Sequence, residues 1–283
     1  MIMHDAIEVI GTGSIIQHGK HNDRVYLMKL AKNDSVSVLK EISQLAQTND
    51  YSKIFCKIPK RSAPLFFADG YILEAYIPEF YNRQEDVFFV SKFLNSDRLL
   101  HIEKAQLLSL SQLLSDKLQK NKELKNNTSG YQVRKLEKSD AEKVAKLYRD
   151  IFETYPFPVH HPDYILKTMD ENFQYYGMEK NGKLAAVASS EIDVEGRNAE
   201  MTDFATHVAH LGNNLSGLLL KTMEKEMRKQ GILILFTIAR LNSIAMNKTF
   251  FRANYQYSGT LIKNTNIAGK IESMNVYFKH LQI

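Results

Sequence analysis

The chain changes its hydrophobic period several times, and each change marks an element. Leu107, Leu110, Leu114 and Leu118 recur at helical spacing and predict a helix over 98–119. Residues 121–130 (NKELKNNTSG) are polar and end in a cluster of breakers, after which the pattern resets. Residues 131–136 alternate like a strand. Ser139 and Glu142 have the spacing of a capping box, and the helix they open sets Val144, Leu147, Tyr148 and Ile151 on one face. The prolines of 155–162 (YPFPVHHP) bar a helix there, so that segment is a shaped loop, with a short helix over 163–169 behind it. Strands at 173–180 and 184–192 flank Asn181-Gly182, the strongest short hairpin signal, and a turn near Glu195-Gly196 leads into a strand at 199–206. Residues 214–230 read as a helix that buries Leu215, Leu218, Leu219, Met223 and Met227, and Gly231 stops it. The apolar run 232–239 suits a strand at a sheet centre. A helix at 243–252 and strands at 256–263 and 273–280 complete the pattern.

The first part of the chain echoes the last. Residues 66–71 (FFADGY) parallel 250–255 (FFRANY), and each is followed by two strand-like runs. Each is also preceded by a helix and an apolar strand, 38–47 with 54–58 in one case and 215–227 with 232–239 in the other. Residues 25–30 are then the counterpart of 199–206. Two domains are expected, 1–125 and 126–283.

Composition narrows the class. With 44% hydrophobic residues among 283, the chain can bury a proper core, which excludes a disordered reading. The longest apolar stretches, such as 231–239, fall far short of the ~20 residues a membrane helix needs. Residues 1–8 carry His4, Asp5 and Glu8 rather than a signal sequence, so a soluble, cytoplasmic protein without membrane contact is expected. The net charge of +5 is spread over mixed segments such as 117–125, with no dense basic stripe, so nucleic acid is not expected as a partner. A mildly basic cleft for a phosphorylated ligand is allowed. One cysteine, and adjacent His160 and His161 without patterned partners, predict no metal site.

The order strand, two helices, three strands, helix, strand, helix, two strands resembles the GNAT superfamily of acyl-CoA-dependent N-acetyltransferases from Tyr131 to Ile283. The resemblance implies an α/β (α+β) fold: a mixed, mostly antiparallel sheet flanked by helices, preceded by a smaller domain like the second half of that fold. Its key region is 200–226 (EMTDFATHVAHLGNNLSGLLLKTMEKE). In the family this strand ends in a bulge whose amides bind the pantetheine arm, and the loop behind it opens a helix that holds the pyrophosphate. A dianion needs unpaired N–H donors, the positive end of a helix and little side-chain bulk. Acetyl-CoA is therefore the implied co-substrate. Phe204, Ala205 and Thr206 would meet its arm, and Gly212, Asn213, Asn214, Leu215, Ser216 and Gly217 its phosphates. Leu211 stands where the family has a basic or amide residue, and asparagine and serine replace its glycines. Asparagine tolerates a left-handed backbone and serine is small, so a cradle is feasible.

A narrower resemblance lies in 153–158 (ETYPFP), 201–206 (MTDFAT) and 260–275 (TLIKNTNIAGKIESMN), which are similar to the β-lysine N-acetyltransferases. It implies acetylation of the ε-amine of β-lysine or a related small amine to make a compatible solute. An alkyl ammonium with a pKa near 10.4 must lose a proton before it attacks a thioester. Asp203, just before the expected bulge, is the candidate base, with Glu200 in reserve; Asp203 could instead bind the ammonium. Strand alternation sets Asp203 opposite Thr202 and Phe204. The family's proton-donating tyrosine falls on Phe251, which cannot donate, so Tyr255, Tyr257 or water takes that role, or the thiolate leaves unprotonated. Asn247 and Phe250 are expected beside the pantetheine. The acceptor site should lie between the loop 155–161 and the hairpin 264–269. Tyr155 and Phe157 would pack along an aliphatic chain, His160 or Arg240 would meet a carboxylate, and Asn264 would complete the site. A homodimer is compatible with this reading. Protein lysine acetylation and a non-catalytic acyl-CoA-binding or assembly module stay open beside small-amine acetylation.

Overall fold

The computed structural model describes residues 5–100, 102–116 and 129–282. The expected boundary at 125, the basic segment 117–125 and the end of the helix expected over 98–119 lie outside the described residues.

The first half runs β1 (Ala6–Ile10), β2 (Ser14–Gly19), β3 (Arg24–Lys29), α1 (Ser35–Thr48), β4 (Lys53–Pro59), α2 (Ala63–Ala68), β5 (Ile72–Tyr81) and β6 (Glu85–Phe93). Its six strands stand in the order β1-β2-β3-β4-β6-β5, and only the β3–β4 pair is parallel. Strand alternation loads both faces. Val25, Leu27, Ile54, Cys56 and Ile58 pack under α1 and α2, whereas Tyr26 and Phe55 point the other way. A sheet buried on both sides needs nearly continuous apolar strands, and KIFCKIP in β4 is one.

Two short helices follow, α3 (Ser96–Leu100) and α4 (Lys104–Ser115), where the leucine spacing predicted one. The reason is tertiary. The buried Arg98 guanidinium donates to the carbonyls of Lys263, Asn22 and Asp23, which fixes α3 against the sheet edge. α4 instead lays Leu107, Leu110 and Leu114 on the core of the second half.

That second half contains β7 (Tyr131–Lys135), α5 (Ala141–Ile151), α6 (Pro162–Asp170), β8 (Phe173–Lys180), β9 (Lys183–Asp193), β10 (Asn198–Thr206), α7 (Leu215–Lys229), β11 (Ile234–Arg240), α8 (Ile244–Arg252), β12 (Gln256–Ile267) and β13 (Lys270–His280). Its order is β12-β13-β11-β10-β9-β8-β7, and only β10–β11 is parallel. This is the mixed, mostly antiparallel sheet flanked by helices that the element order predicts. α7 and α8 cover one face; α5 and α6 cover the β8–β10 part of the other. The capping box ahead of α5 is formed by Glu137 and Asp140, not Ser139 and Glu142. Asp140 is drawn there by Arg134, which pairs it through two donors at 2.7 and 2.8 Å. Among the described residues no helix is long and apolar enough to cross a membrane.

The echo in the sequence is an echo in three dimensions. Phe66 and Tyr71 meet edge to face at 5.1 Å, as Phe250 and Tyr255 do at 5.2 Å. The register shift between Leu73 and Ala75 recurs between Tyr257 and Gly259, and the shift between Ile77 and Tyr81 recurs between Leu261 and Thr265. Each pair keeps the separation of Phe66 from Phe250. The repeat also reaches further than 25–93, because β1 and β2 flank β3 as β8 and β9 flank β10. The two sheets pack on one another through Tyr26, Phe55, Phe80 and Phe89 on one side and Phe236, Leu261, Met274 and Phe278 on the other. At the joint, a Cβ on Gly259 would overlap the Glu74 carbonyl oxygen, so only glycine allows the approach.

Candidate active site

β10 and β11 pair only from Asn198–Glu200 to Ile234–Phe236 and then part, which opens a cleft between the ends of two parallel strands. On its other edge β10 stays with β9 as far as Thr202–Ser189, and the register then shifts before Ala205–Val187. The bulge holds Asp203 at φ 55°, a left-handed conformation that costs a non-glycine residue on the order of 1 kcal/mol. Its side chain offsets that cost. Asp203 Oδ2 accepts from the Ser189 hydroxyl at 2.6 Å and Oδ1 from the Tyr155 hydroxyl at 2.7 Å. The extra residue also reverses the alternation. Met201 and Phe204 both face α7 and α8, and Thr202 Oγ1 lies 3.4 Å from Asp203 Oδ1 on the other side. The expectation that Asp203 opposes Thr202 fails for that reason: alternation holds only in an unbulged strand.

The groups around Asp203 form an acidic cluster walled by tyrosines. Burial raises the Asp203 pKa, while its hydrogen bonds from Ser189, Tyr155 and Thr202 pull it back. Glu200, three residues upstream, sits directly across from Glu191 of β9. Burial first, and then the Glu191 charge, pushes the Glu200 carboxyl up to about 8, against the pull of Lys57 and of the Ile238 N–H. Glu191 is raised as well, by burial above all. Among the described residues neither glutamate, nor Lys57, has an ion-pair partner within 4 Å. The Tyr148 hydroxyl, fully buried and within electrostatic reach of Asp203, has no hydrogen-bond partner.

Behind the bulge, a single turn at Val208–His210 and the exposed Leu211 lead to Gly212 at φ 82° and Asn214 at φ 58°. Asn214 starts α7, whose first intrahelical bond runs from Leu218 N to the Asn214 carbonyl at 3.2 Å. The N–H groups of Leu215, Ser216 and Gly217 therefore have no acceptor within the helix, the Asn214 side chain makes no capping hydrogen bond to them, and no acidic residue stands in the first turn. Asn213 Nδ2 donates back to the His210 carbonyl, the Ser216 hydroxyl meets Thr206, and the Asn214 amide lies over Gly217. This donor set fits a phosphate dianion. Phe204, edge to face with Phe250 at 5.6 Å, and Ala205 and Thr206 line the strand that leads to it.

The loop and the hairpin between which the acceptor site is expected touch one another. Thr154 Oγ1 accepts from Gly269 N at 3.0 Å. Gln17 of β2 donates to the Pro156 carbonyl at 2.9 Å, and Arg24 of β3 bridges Gln17 to the carbonyl of the buried Asn264. Asn264 Oδ1 is left without a partner. Tyr155, expected along an aliphatic chain, is bonded to Asp203 and stacked on Phe152 at 4.7 Å.

Other expected residues are held elsewhere. Nε and Nη2 of Arg240 donate to the two carboxylate oxygens of Glu272, at 2.9 and 2.7 Å, so it is already paired with a carboxylate of its own chain. His160 rests against the end of α5, where its carbonyl accepts from Arg149, and Phe157 packs in the α5–α6 core. Asn247 is buried with its amide fully used: Nδ2 donates to the carbonyls of Arg240 and Ser243, and Oδ1 accepts from Asn275 and Tyr277. Tyr255 lies in the α7–α8 core beside Glu224, and burial and that charge raise its pKa far above the usual, the reverse of what a proton donor needs. Glu191, Lys57, Ser189 and Tyr148 were not singled out by the sequence. For Lys57 and Glu191 a signal existed, a charge inside or just behind an otherwise apolar strand (KIFCKIP, LAAVASSE).

Residues 142–249 match the model of the acetyltransferase (GNAT) family. The chain is 38% identical to the beta-lysine N(6)-acetyltransferase of Methanococcus maripaludis, over 98% of this chain and 99% of that protein. It is 30% identical to the enzyme of the same name from Methanosarcina mazei, over 85% of this chain and 95% of that one. It is also 29% identical to the N-acetyltransferase YodP of Bacillus subtilis, over 99% and 100%.

Proposed function

We propose, because this chain belongs to the acetyltransferase (GNAT) family, that its N-acetyltransferase activity is directed at the ε-amine of β-lysine. The family draws its acetyl group from acetyl-CoA, which supplies, when bound, an acyl carbon activated as a thioester. The observation that carries the acceptor reading is the acidic row Glu191, Glu200 and Asp203 at the bulge, which suits an acceptor with more than one ammonium. The names of two relatives agree with it. The first-turn N–H groups of Leu215, Ser216 and Gly217 hold the pyrophosphate. Asp203, fixed by Ser189 and Tyr155, draws the reacting ammonium to the cleft. Glu200, raised to about 8 and without an ion pair among the described residues, takes its proton. A carboxylate of that basicity is a closer match to an amine than an ordinary one, so the reserve base of the sequence reading is preferred to Asp203. Acetylation removes one positive charge from a molecule with two ammonium groups and one carboxylate. The product is a neutral zwitterion, which suits a cytoplasmic compatible solute.

The test is a thiol-release assay over β-lysine, α-lysine, cadaverine and lysine-containing peptides. The specificity constant should fall in the order β-lysine, α-lysine, cadaverine, because a site that binds a carboxylate rejects a diamine lacking it. A clear preference for peptides would replace this reading with protein acetylation. The phosphate cradle is checked separately by Ser216→Asp. A carboxylate in the first turn competes for the same N–H donors, worth roughly 1 kcal/mol, so the KM for acetyl-CoA should rise about 5-fold with the amine KM unchanged.

A further inference from the structure

The first half of the chain carries no glycine in the loop between β3 and α1. Asp34 stands at the start of α1 and accepts from Thr12 N and the Ser14 hydroxyl, so that helix end already faces a carboxylate. What the half presents to the second sheet is the opposite face, and three polar side chains on that face matter. Tyr26 and Lys57 project from β3 and β4 toward Glu191 and Glu200. The Lys57 ammonium lies 5.7 Å from the centre of the Phe236 ring. Phe236 is the register partner of Glu200 across β10–β11, and Glu191 is its partner across β9–β10. Glu200 is thus flanked by a cation above one neighbouring strand and a carboxylate on the other. Gln17 extends the same face to the loop at Pro156.

For a structural role alone this arrangement is poor. Two glutamates directly opposite one another on adjacent strands repel. A half-buried lysine among them, with no carboxylate within 4 Å among the described residues, does not settle the repulsion by a formed ion pair.

We propose that the first half completes the acceptor pocket: Lys57 receives the acceptor's carboxylate, and Glu191 holds its second ammonium, leaving the reacting amine to Glu200 and Asp203. The proposal rests on the acceptor reading above and adds the two residues that read its far end. It also gives the first half a task, since Arg240, the cation expected from the second half, is paired with Glu272.

Two truncated acceptors separate the two contacts. Cadaverine has the second amine and no carboxylate; ε-aminocaproate has the carboxylate and no second amine. Lys57→Met should raise the KM for β-lysine and for ε-aminocaproate about 10- to 100-fold, as loss of a charged hydrogen bond does, and leave cadaverine within about 3-fold. Glu191→Gln should raise the KM for β-lysine and cadaverine and spare ε-aminocaproate. The KM for acetyl-CoA should stay unchanged in both, which also reports that each variant is folded, and Lys57→Arg should recover most of the β-lysine affinity. Equal losses on all three amines, or no loss on β-lysine, overturn the proposal while the acceptor reading stands. A wild-type enzyme that ignores β-lysine and acetylates another amine overturns both.

Discussion

Glu200→Gln should lower kcat by about 10²- to 10⁴-fold, the usual loss when a general base is removed. The structure gives this its pH signature. The base works only when ionised, and the Glu200 carboxyl is held up to about 8 by burial and by Glu191. Activity of the wild-type enzyme should therefore climb as pH rises through about 8, and in Glu200→Gln that limb should vanish. Glu191, Asp203, Lys57, Tyr26 and Tyr155 all face this carboxyl, so Glu191→Gln, which removes a like charge, should move the limb to lower pH. Asp203→Asn makes the contrast. Both of its oxygens are already acceptors for Ser189 and Tyr155, so its loss should fall mainly on the amine KM. If Asp203→Asn abolishes the alkaline limb and Glu200→Gln keeps it, the two roles are exchanged.

The second large effect is on stability. Lys53 and Glu74 form an ion pair at 2.9 Å with side chains 0% and 3% exposed. Lys53 Nζ also donates to the Ile262 carbonyl at 2.7 Å, and Glu74 accepts from Ile262 N at 2.6 Å and from Ser91. The pair ties β4 and β5 to β12 at the joint between the two halves. Glu74→Leu leaves a buried charge uncompensated and should cost about 3–5 kcal/mol, whereas Lys53→Met with Glu74→Leu should recover most of it. A thermal melt reads this at roughly 2–4 °C per kcal/mol. The pH dependence has a definite sign. Burial lowers the Lys53 pKa to about 8, so between there and its unfolded value the unfolded chain binds the extra proton, and stability rises with pH. Without Glu74, which holds that pKa up, the rise should begin at lower pH. If the single variant melts with the wild type, the pair contributes nothing and the joint is held by apolar packing.

Local signals in the sequence were sufficient for most elements. The hairpin at Asn181-Gly182, the apolar run that became β11, the helix stopped by Gly231 and the six-residue echo between the halves each depend on neighbours within a few positions, and each is found where expected. The loop at Gly212–Asn214 was legible for the same reason: a left-handed turn ahead of a helix is a property of the residues in it.

What stayed hidden depended on partners far along the chain. Arg98 divided a predicted helix because its acceptors lie on Asp23, Asn22 and Lys263. Arg240 looked free to bind a carboxylate until β13 brought Glu272 beside it, and Asn247 looked free to bind a ligand until Asn275 and Tyr277 closed on it. The sequence by itself determined most of the strands and helices, the left-handed turn ahead of α7 and the acid residues at the end of β10. Only the tertiary structure decided how the pKa of each acid is raised. That depends on how much water a carboxylate loses and which charges surround it; at Glu200 burial comes first, and then Glu191 on β9, nine residues away, raises it against the pull of Lys57 on β4 in the other half of the molecule.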